Sequence, residues 1–290
     1  MSRRGPDRAA SVRARLLAIA KARGEDFNLV LTRFAIERWL YRLSVSKRAH
    51  EFLLKGALLF DLWFDQPHRP TRDADFLGFG PADREALAKA VAEICAVEAD
   101  DGLHYDPASI RAAEIRENAS YSGLRVTLVA FLGTARCPMQ LDVGFGDAVT
   151  PGPEEATFPA LMNDLPAPRL RVYPRETVIA EKLEAAVTLD MANSRMKDLF
   201  DLRMLAREGK AKPAGVAKAI RATFQRRGTA IPAKMPTALT DSFARDPAKL
   251  QQWQLFVRRN RLEDVTLEET VAEVRNFLAK PLELARRGAP

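Results

Sequence analysis

The segment Thr71-Arg72-Asp73-Ala74-Asp75-Phe76-Leu77-Gly78 carries two aspartates two residues apart, followed by an apolar run. The pattern predicts a strand over 72–78, on which Asp73 and Asp75 share one face. Adjacent carboxylates repel each other unless a cation neutralises them. Magnesium prefers oxygen ligands and binds one or two carboxylates together with substrate phosphates. The pair therefore indicates a metal–phosphate site, although a solvated strand with two surface acids would have the same pattern.

A glycine upstream fits the same interpretation. Lys55-Gly56-Ala57 precedes the aspartates, and Gly56 has no side chain to keep a phosphate away from the backbone amides. Close packing of a helix would explain the glycine equally well.

A third carboxylate lies farther along the chain, in Gln140-Leu141-Asp142-Val143-Gly144. An acid flanked by apolar residues in a core strand needs a partner, because an unpaired buried charge is costly. A metal shared with Asp73 and Asp75 would be one such partner. A salt bridge to an arginine such as Arg125 would be another.

A lysine on a predicted helix is the candidate for a triphosphate contact. Lys182, in Glu181-Lys182-Leu183-Glu184-Ala185, lies at the border of a buried helix face. It could act as a point charge on a triphosphate, or extend its amine into solvent. Asp198 and Asp201, three residues apart on the next predicted helix, could orient Lys182 or an arginine, or only solvate that helix.

Composition excludes several other classes of protein. The 290 residues include two isolated cysteines, Cys95 and Cys137, and three scattered histidines, so neither a disulfide framework nor a zinc site is expected. No apolar run is long enough to span a membrane, and we expect a cytoplasmic protein. The net charge of +7 favours polyanionic partners. Basic residues near Trp253 and Phe256 suit an RNA backbone, or form only a solvated surface.

Periodicity predicts an α+β protein. Helices are expected at 9–23, 27–43 with Asp26 as its cap, 51–64, and 86–97, and a hairpin of strands 124–131 and 139–145 turns at Gly133. Six prolines between Gly146 and Pro174 predict a long connection, and the chain after it is helical. These features define an N-terminal helical segment (1–50), a core (51–150), and a linker with a helical C-terminal domain (151–290).

Five blocks in this order resemble the AbiEii/AbiGii toxin family of bacterial nucleotidyltransferases. They are Lys55-Gly56-Ala57, Arg69-Pro70-Thr71-Arg72-Asp73-Ala74-Asp75, Leu141-Asp142-Val143, Glu181-Lys182-Leu183-Glu184-Ala185 and Lys197-Asp198-Leu199-Phe200-Asp201-Leu202. The likeness covers roughly residues 27–205. It implies a polymerase β-like nucleotidyltransferase core, a small mixed sheet with flanking helices, followed by a C-terminal helical domain.

The resemblance also implies an activity. Members of this group are the toxins of toxin–antitoxin systems used in phage defence, and relatives add nucleotides to the 3′ end of tRNA. By this likeness Asp73, Asp75 and Asp142 bind Mg²⁺, and they act in catalysis with Lys182 and Asp198. Nucleoside triphosphate is bound by Lys182 and by a set upstream, Lys55, Gly56, Ala57 and Arg72. The implied partners are the triphosphate, tRNA or another RNA, and a cognate antitoxin, with no membrane.

One departure keeps other functions open. Many family members have Gly-Gly followed by Ser or Thr in the first block, whereas this chain has Gly56-Ala57 and lacks that hydroxyl. The alternatives are nucleotidyl transfer to a protein or a small molecule, and a non-catalytic module of the same fold that binds nucleic acid or an antitoxin.

Overall fold

The structure, a computed structural model, describes residues 6–64, 71–115, 123–262 and 265–288. In these residues seven strands form one mixed sheet. The strands are β1 (Phe52–Lys55), β2 (Asp73–Gly78), β3 (Leu103–Ile115), β4 (Gly123–Leu132), β5 (Ala135–Phe145), β6 (Glu154–Thr157) and β7 (Arg169–Val172).

Ten α-helices accompany the sheet in the same described ranges. They are α1 (Pro6–Arg23), α2 (Phe27–Val45), α3 (Leu59–Trp63), α4 (Arg84–Cys95), α5 (Arg175–Leu189), α6 (Met196–Glu208), α7 (Pro213–Arg227), α8 (Asp241–Ala244), α9 (Pro247–Asn260) and α10 (Leu267–Arg287). None of these described helices combines the length and apolar character needed to cross a bilayer.

The strands lie in the order β3-β4-β5-β2-β1-β7-β6. Strand β2 is central, since it pairs in parallel with β5 and antiparallel with β1. Strands β4 and β5 form the predicted antiparallel hairpin, which turns at Gly133 with a φ of +59°. The segment with the two aspartates therefore lies in the middle of the sheet.

Alternating burial gives the sheet one apolar face. In β5, Cys137, Met139, Leu141 and Val143 are buried, while the residues between them are half-buried or exposed. Helices α1, α2 and α4 contact β4, β5 and β3 respectively. Trp39 of α2 packs its ring 5.5 Å from that of Phe76 in β2. The helices therefore cover the apolar face, and the polar residues of each strand point the other way.

The chain divides into two compact units. Unit 1 comprises residues 1–146 and 154–172, and unit 2 comprises residues 147–153 and 173–290. Unit 1 contains the whole sheet with α1 to α4, and unit 2 contains α5 to α10. The prediction of an α+β class with a mixed sheet and a helical C-terminal part is confirmed.

The structure differs from the local predictions in three places. The stretch 51–64, expected to be one helix, contains β1, a 3-10 turn (Gly56–Leu58) and the short α3. A continuous apolar run cannot distinguish a buried strand from a buried helix, which explains this error. The proline-rich connection carries β6 and β7, and β3 was not predicted. The sequence also predicts a turn at 66–70, and that segment lies outside the described residues.

Candidate active site

Strand pairing brings four of the predicted site residues of unit 1 together. Lys55 of β1 is in register with Asp75 of β2, and Asp75 is in register with Asp142 of β5. Neighbouring strands are about 4.8 Å apart, so these three side chains form a row across the open face of the sheet. Asp73 lies two residues before Asp75 and therefore points to the same face.

A second row starts at Asp73. Its register partner is Gln140 of β5, which pairs with Thr127 of β4, which in turn pairs with Arg111 of β3. Asp73 and Gln140 are half-buried, whereas Thr127 and Arg111 are exposed. The open face thus continues from the two aspartates to the edge strand as a polar surface.

Gly56 borders the first row and makes room for a carboxylate. Its φ is +75°, and a β-carbon placed on it would lie 2.0 Å from Oδ2 of Asp75. No L-residue fits there without moving Asp75, which gives a reason for the glycine besides the two considered from sequence. Ala57 follows in the same 3-10 turn. The predicted contact of this turn with phosphate stays a prediction.

The carboxylate of Asp73 is held by the two residues that precede it. Its Oδ1 accepts a hydrogen bond of 3.1 Å from the backbone N–H of Arg72 and a longer one of 3.4 Å from the Thr71 hydroxyl. Both contacts use one carboxylate oxygen and set the direction of the other. The side chain of Arg72 is exposed.

Asp142 forms the predicted salt bridge with Arg125, one of the two partners considered from sequence. Nε and Nη2 of Arg125 donate to its two carboxylate oxygens at 2.9 and 2.8 Å, and Gln140 Nε2 donates at 3.2 Å. This two-pronged pair neutralises the charge of Asp142 beside Asp75. The role of Asp142 as a third metal ligand stays a prediction.

The two aspartates fit a magnesium ion whose coordination is completed by oxygens of the substrate. In the described part of the chain no three His, Cys, Asp or Glu side chains form a ready metal cage. Asp73 and Asp75 are two half-buried carboxylates on one face of β2, and Asp75 lies against Gly56. Two hard oxygen donors match the way magnesium binds to proteins together with phosphates.

A cleft of about 520 Å³ opens beside Asp73 on the same face of the sheet. Arg72, Arg111 and Arg136 line it together with Asp73 and Gln140. Sequence reasoning did not find Arg111 or Arg136 because β3 was not predicted and β5 was started at residue 139. The available signal was the apolar residue at every second position from 137 to 143, which places Arg136, Gln140 and Asp142 on the opposite face.

Unit 2 contains the remaining predicted residues. Nζ of Lys182 on α5 donates to Asp198 at 2.7 Å and to Asp201 at 2.8 Å, both on α6. Burial would lower the pKa of Lys182, but the two carboxylates outweigh it and raise that pKa. Arg195 Nε lies 2.6 Å from Asp198. The lysine is thus a half-buried group whose charge is balanced by two buried carboxylates, and its contact with triphosphate stays a prediction.

Comparison with known protein families decides the assignment. The family of the nucleotidyl transferase AbiEii toxin of type IV toxin–antitoxin systems matches residues 38–279, most of the chain. The chain belongs to the AbiEii family. Membership makes it a nucleotidyltransferase of the toxin–antitoxin kind, and it confirms the resemblance drawn from the five blocks.

Solved structures add distant similarities to this AbiEii-family chain. One is a candidate nucleotidyltransferase from H. pylori, with a TM-score of 0.49 and 16% identity, covering 90% of this chain and 97% of the other. Another is JHP933 from Helicobacter pylori, with a TM-score of 0.48 and 16% identity, covering 87% and 91%. No curated protein matches the sequence. The functional assignment therefore rests on the family match.

Proposed function

We propose that this AbiEii-family chain transfers a nucleotide from a nucleoside triphosphate to a hydroxyl of RNA, at the 3′ end of tRNA. In the reaction the acceptor oxygen forms a bond to the α-phosphorus, the bond from that phosphorus to the bridging oxygen breaks, and pyrophosphate leaves. The hydroxyl proton passes to solvent. The observation that carries the proposal is the same-face pair Asp73 and Asp75, of which Asp75 is in register with Lys55 and lies beside Gly56.

The chain's own residues would position the triphosphate. Asp73 and Asp75 would hold Mg²⁺, which when bound offsets charge on the phosphates and lowers the pKa of the attacking hydroxyl. Lys55 lies one strand from Asp75 on the same face, where an ammonium group favours phosphate oxygens. The open backbone at Gly56 gives a phosphate access to amide groups.

The test is a matched pair of charge-removing variants. Asp73→Asn keeps the shape of the side chain and removes its charge, so transfer of labelled nucleotide to total tRNA should be lost while the protein stays folded. Asp83→Asn is the control, since Asp83 is an exposed residue that caps α4 and asparagine caps helices equally well. Retention of most activity by Asp73→Asn would reject the proposal.

The identity of the acceptor is decided in the same assay. Total tRNA, protein fractions and small hydroxyl compounds are offered in parallel with each of the four triphosphates. Labelling of protein or of a small molecule alone would replace the RNA acceptor and leave the metal site in place. A protein whose melting temperature does not respond to triphosphate with Mg²⁺ would be a non-catalytic module.

A cellular experiment addresses the proposed toxin role in phage defence. Expression of the chain should arrest growth, and Asp73→Asn should abolish the arrest if nucleotidyl transfer is the toxic activity. Growth arrest by both proteins at equal abundance would separate toxicity from the reaction. Co-expression of a gene encoded next to the toxin gene then tests for an antitoxin.

A further inference from the structure

The cleft beside Asp73 differs in charge from the aspartate pair itself. Its lining includes three guanidinium groups, of Arg72, Arg111 and Arg136, and one carboxylate, of Asp73. All three arginines are exposed. In the described residues none of the three has an ion-pair partner. The cleft is therefore a positively charged surface that starts at one of the proposed metal ligands.

The arginine farthest from the aspartates along the second row is held in place by the backbone. Nη1 of Arg111 donates to the carbonyl oxygens of Ala108 and Ile110, each at 2.8 Å. These contacts restrain the guanidinium group and leave its positive charge uncompensated by any carboxylate of the described chain. An anion that binds there meets a donor that is already oriented, which lowers the entropic cost of binding.

The direction of the proposed reaction determines what the cleft holds. Lys55 and Gly56 lie on the β1 side of Asp75, whereas Gln140, Thr127 and Arg111 extend from Asp73 toward β3. In-line displacement requires the attacking oxygen and the leaving oxygen on opposite sides of the phosphorus. With pyrophosphate leaving toward β1, the acceptor enters from the side of β5, β4 and β3.

We propose that this cleft binds the phosphodiester backbone of the acceptor RNA strand, with Arg111 and Arg136 contacting phosphates upstream of the reacting end. The inference rests on the proposed function. From β2 to β3 the sheet spans about 14 Å, enough for a few nucleotides of an extended strand. Arginine is suited to this role because its guanidinium fork matches the geometry of phosphate oxygens.

The test measures RNA binding without the reaction. A short, fluorescent single-stranded RNA is titrated by anisotropy across a salt series with no triphosphate present, using Arg111→Ala, Arg136→Ala and wild type. Each variant should bind more weakly, and the slope of log Kd against log salt should fall by about one for each arginine removed. Arg23→Ala, which removes an exposed arginine at the end of α1, is the matched control and should equal wild type.

The outcomes separate the cleft from the chemistry. Arg136 occupies an exposed strand position, so Arg136→Ala still tests the cleft if Arg111→Ala fails to fold. The melting temperatures of both variants, with and without Mg²⁺ and triphosphate, should equal those of wild type. Unchanged RNA affinity and slope in both variants, or no RNA binding by wild type, would overturn the cleft proposal. If the two variants lose RNA affinity as expected but wild type transfers no nucleotide, the RNA-binding role of the cleft stands and the proposed reaction is refuted. A DNA strand of the same sequence shows whether the 2′-hydroxyl contributes.

Discussion

The missing side chain of Gly56 and the carboxylate of Asp75 occupy complementary space. A β-carbon on Gly56 would lie 2.0 Å from Asp75 Oδ2, 2.7 Å from its Cγ and 2.8 Å from its Cβ. Non-bonded heavy atoms do not approach this closely, so any side chain at residue 56 must displace Asp75. The glycine in the first sequence block thus sets the position of a carboxylate in the second.

Gly56→Ala should therefore abolish nucleotidyl transfer and lower stability. The positive φ alone costs about 1–3 kcal/mol for a residue other than glycine, and displacement of Asp75 adds to that. Gly24→Ala is the control, since Gly24 has a φ of +63° and nothing within 4 Å of its would-be β-carbon. Melting curves and the transfer assay on both variants separate backbone strain from the contact with Asp75. Full activity in a folded Gly56→Ala protein would contradict this argument.

The pair Arg125 and Asp142 should tune metal affinity in opposite directions. Arg125→Gln leaves the charge of Asp142 beside Asp75, so the concentration of Mg²⁺ needed for half-maximal thermal shift with triphosphate should fall. Asp142→Asn removes the carboxylate that offsets the charge of Arg125 near the same site, so that concentration should rise. A unit charge about 6 Å from a divalent ion changes the free energy of binding by about 1.4 kcal/mol at the dielectric of water, or about tenfold in affinity, and by more at the lower dielectric of a protein surface.

The double variant provides the control for this pair. Arg125→Gln with Asp142→Asn removes both charges, and its midpoint should return close to the wild-type value. If Asp142 is itself a metal ligand, the double variant should bind Mg²⁺ much more weakly than wild type. The same Mg²⁺ titration thus shows whether Asp142 binds the metal ion or only pairs with Arg125.

Sequence reasoning found the centre of the site because its signals are local. A spacing of two places Asp73 and Asp75 on one face whatever the surrounding fold, and the helix cap at Asp26 needs only its hydrogen bond to the N–H of Leu29. The pattern of residues 175–189 likewise predicts a helix, and α5 has these bounds. Such features depend on neighbours within a few residues, which the sequence displays directly.

The rest of the site depends on pairing between distant strands. Nothing local indicates that Arg111 lies in line with Asp73, since the relation runs through Gln140 and Thr127 on two intervening strands. The apolar run 51–64 was wrongly predicted as a helix because tertiary burial, not periodicity, decides its structure. The cleft could not be found until β3 and the full length of β5 were known.

Lys182→Met should destabilise unit 2 by about 3–5 kcal/mol, because it leaves Asp198 and Asp201 buried without their shared cation. Lys182→Arg keeps the charge and should recover part of the loss. Chemical denaturation followed by circular dichroism measures both. Unchanged stability in Lys182→Met, with transfer activity lost, would instead favour a direct role of this lysine in catalysis.

The same cluster predicts sensitivity to acid. Burial would raise the pKa of Asp198, but Lys182 and Arg195 outweigh it and hold the pKa below its ordinary value of 3.8. Because the folded-state pKa is the lower one, this stabilisation is present above about pH 4 and is lost as the pH falls through the folded-state value. The difference in free energy of unfolding between wild type and Asp198→Asn should therefore disappear below that pH. A difference that does not change with pH would contradict the ion pair.

Glu37 should produce a pH dependence of the opposite sign. It is buried in α2, accepts a hydrogen bond of 2.7 Å from the backbone N–H of Leu161 and one of 3.2 Å from Arg38. Burial raises its pKa to about 7 against these two donors, which lower it. A carboxyl whose folded-state pKa lies above its unfolded value of 4.5 stabilises the protein at low pH and loses that contribution as the pH rises toward 7. The melting temperature of wild type relative to Glu37→Gln should accordingly decrease between about pH 5 and pH 8. A difference that stays constant or increases over that range would show that Leu161 and Arg38 keep the carboxylate ionised in the folded protein.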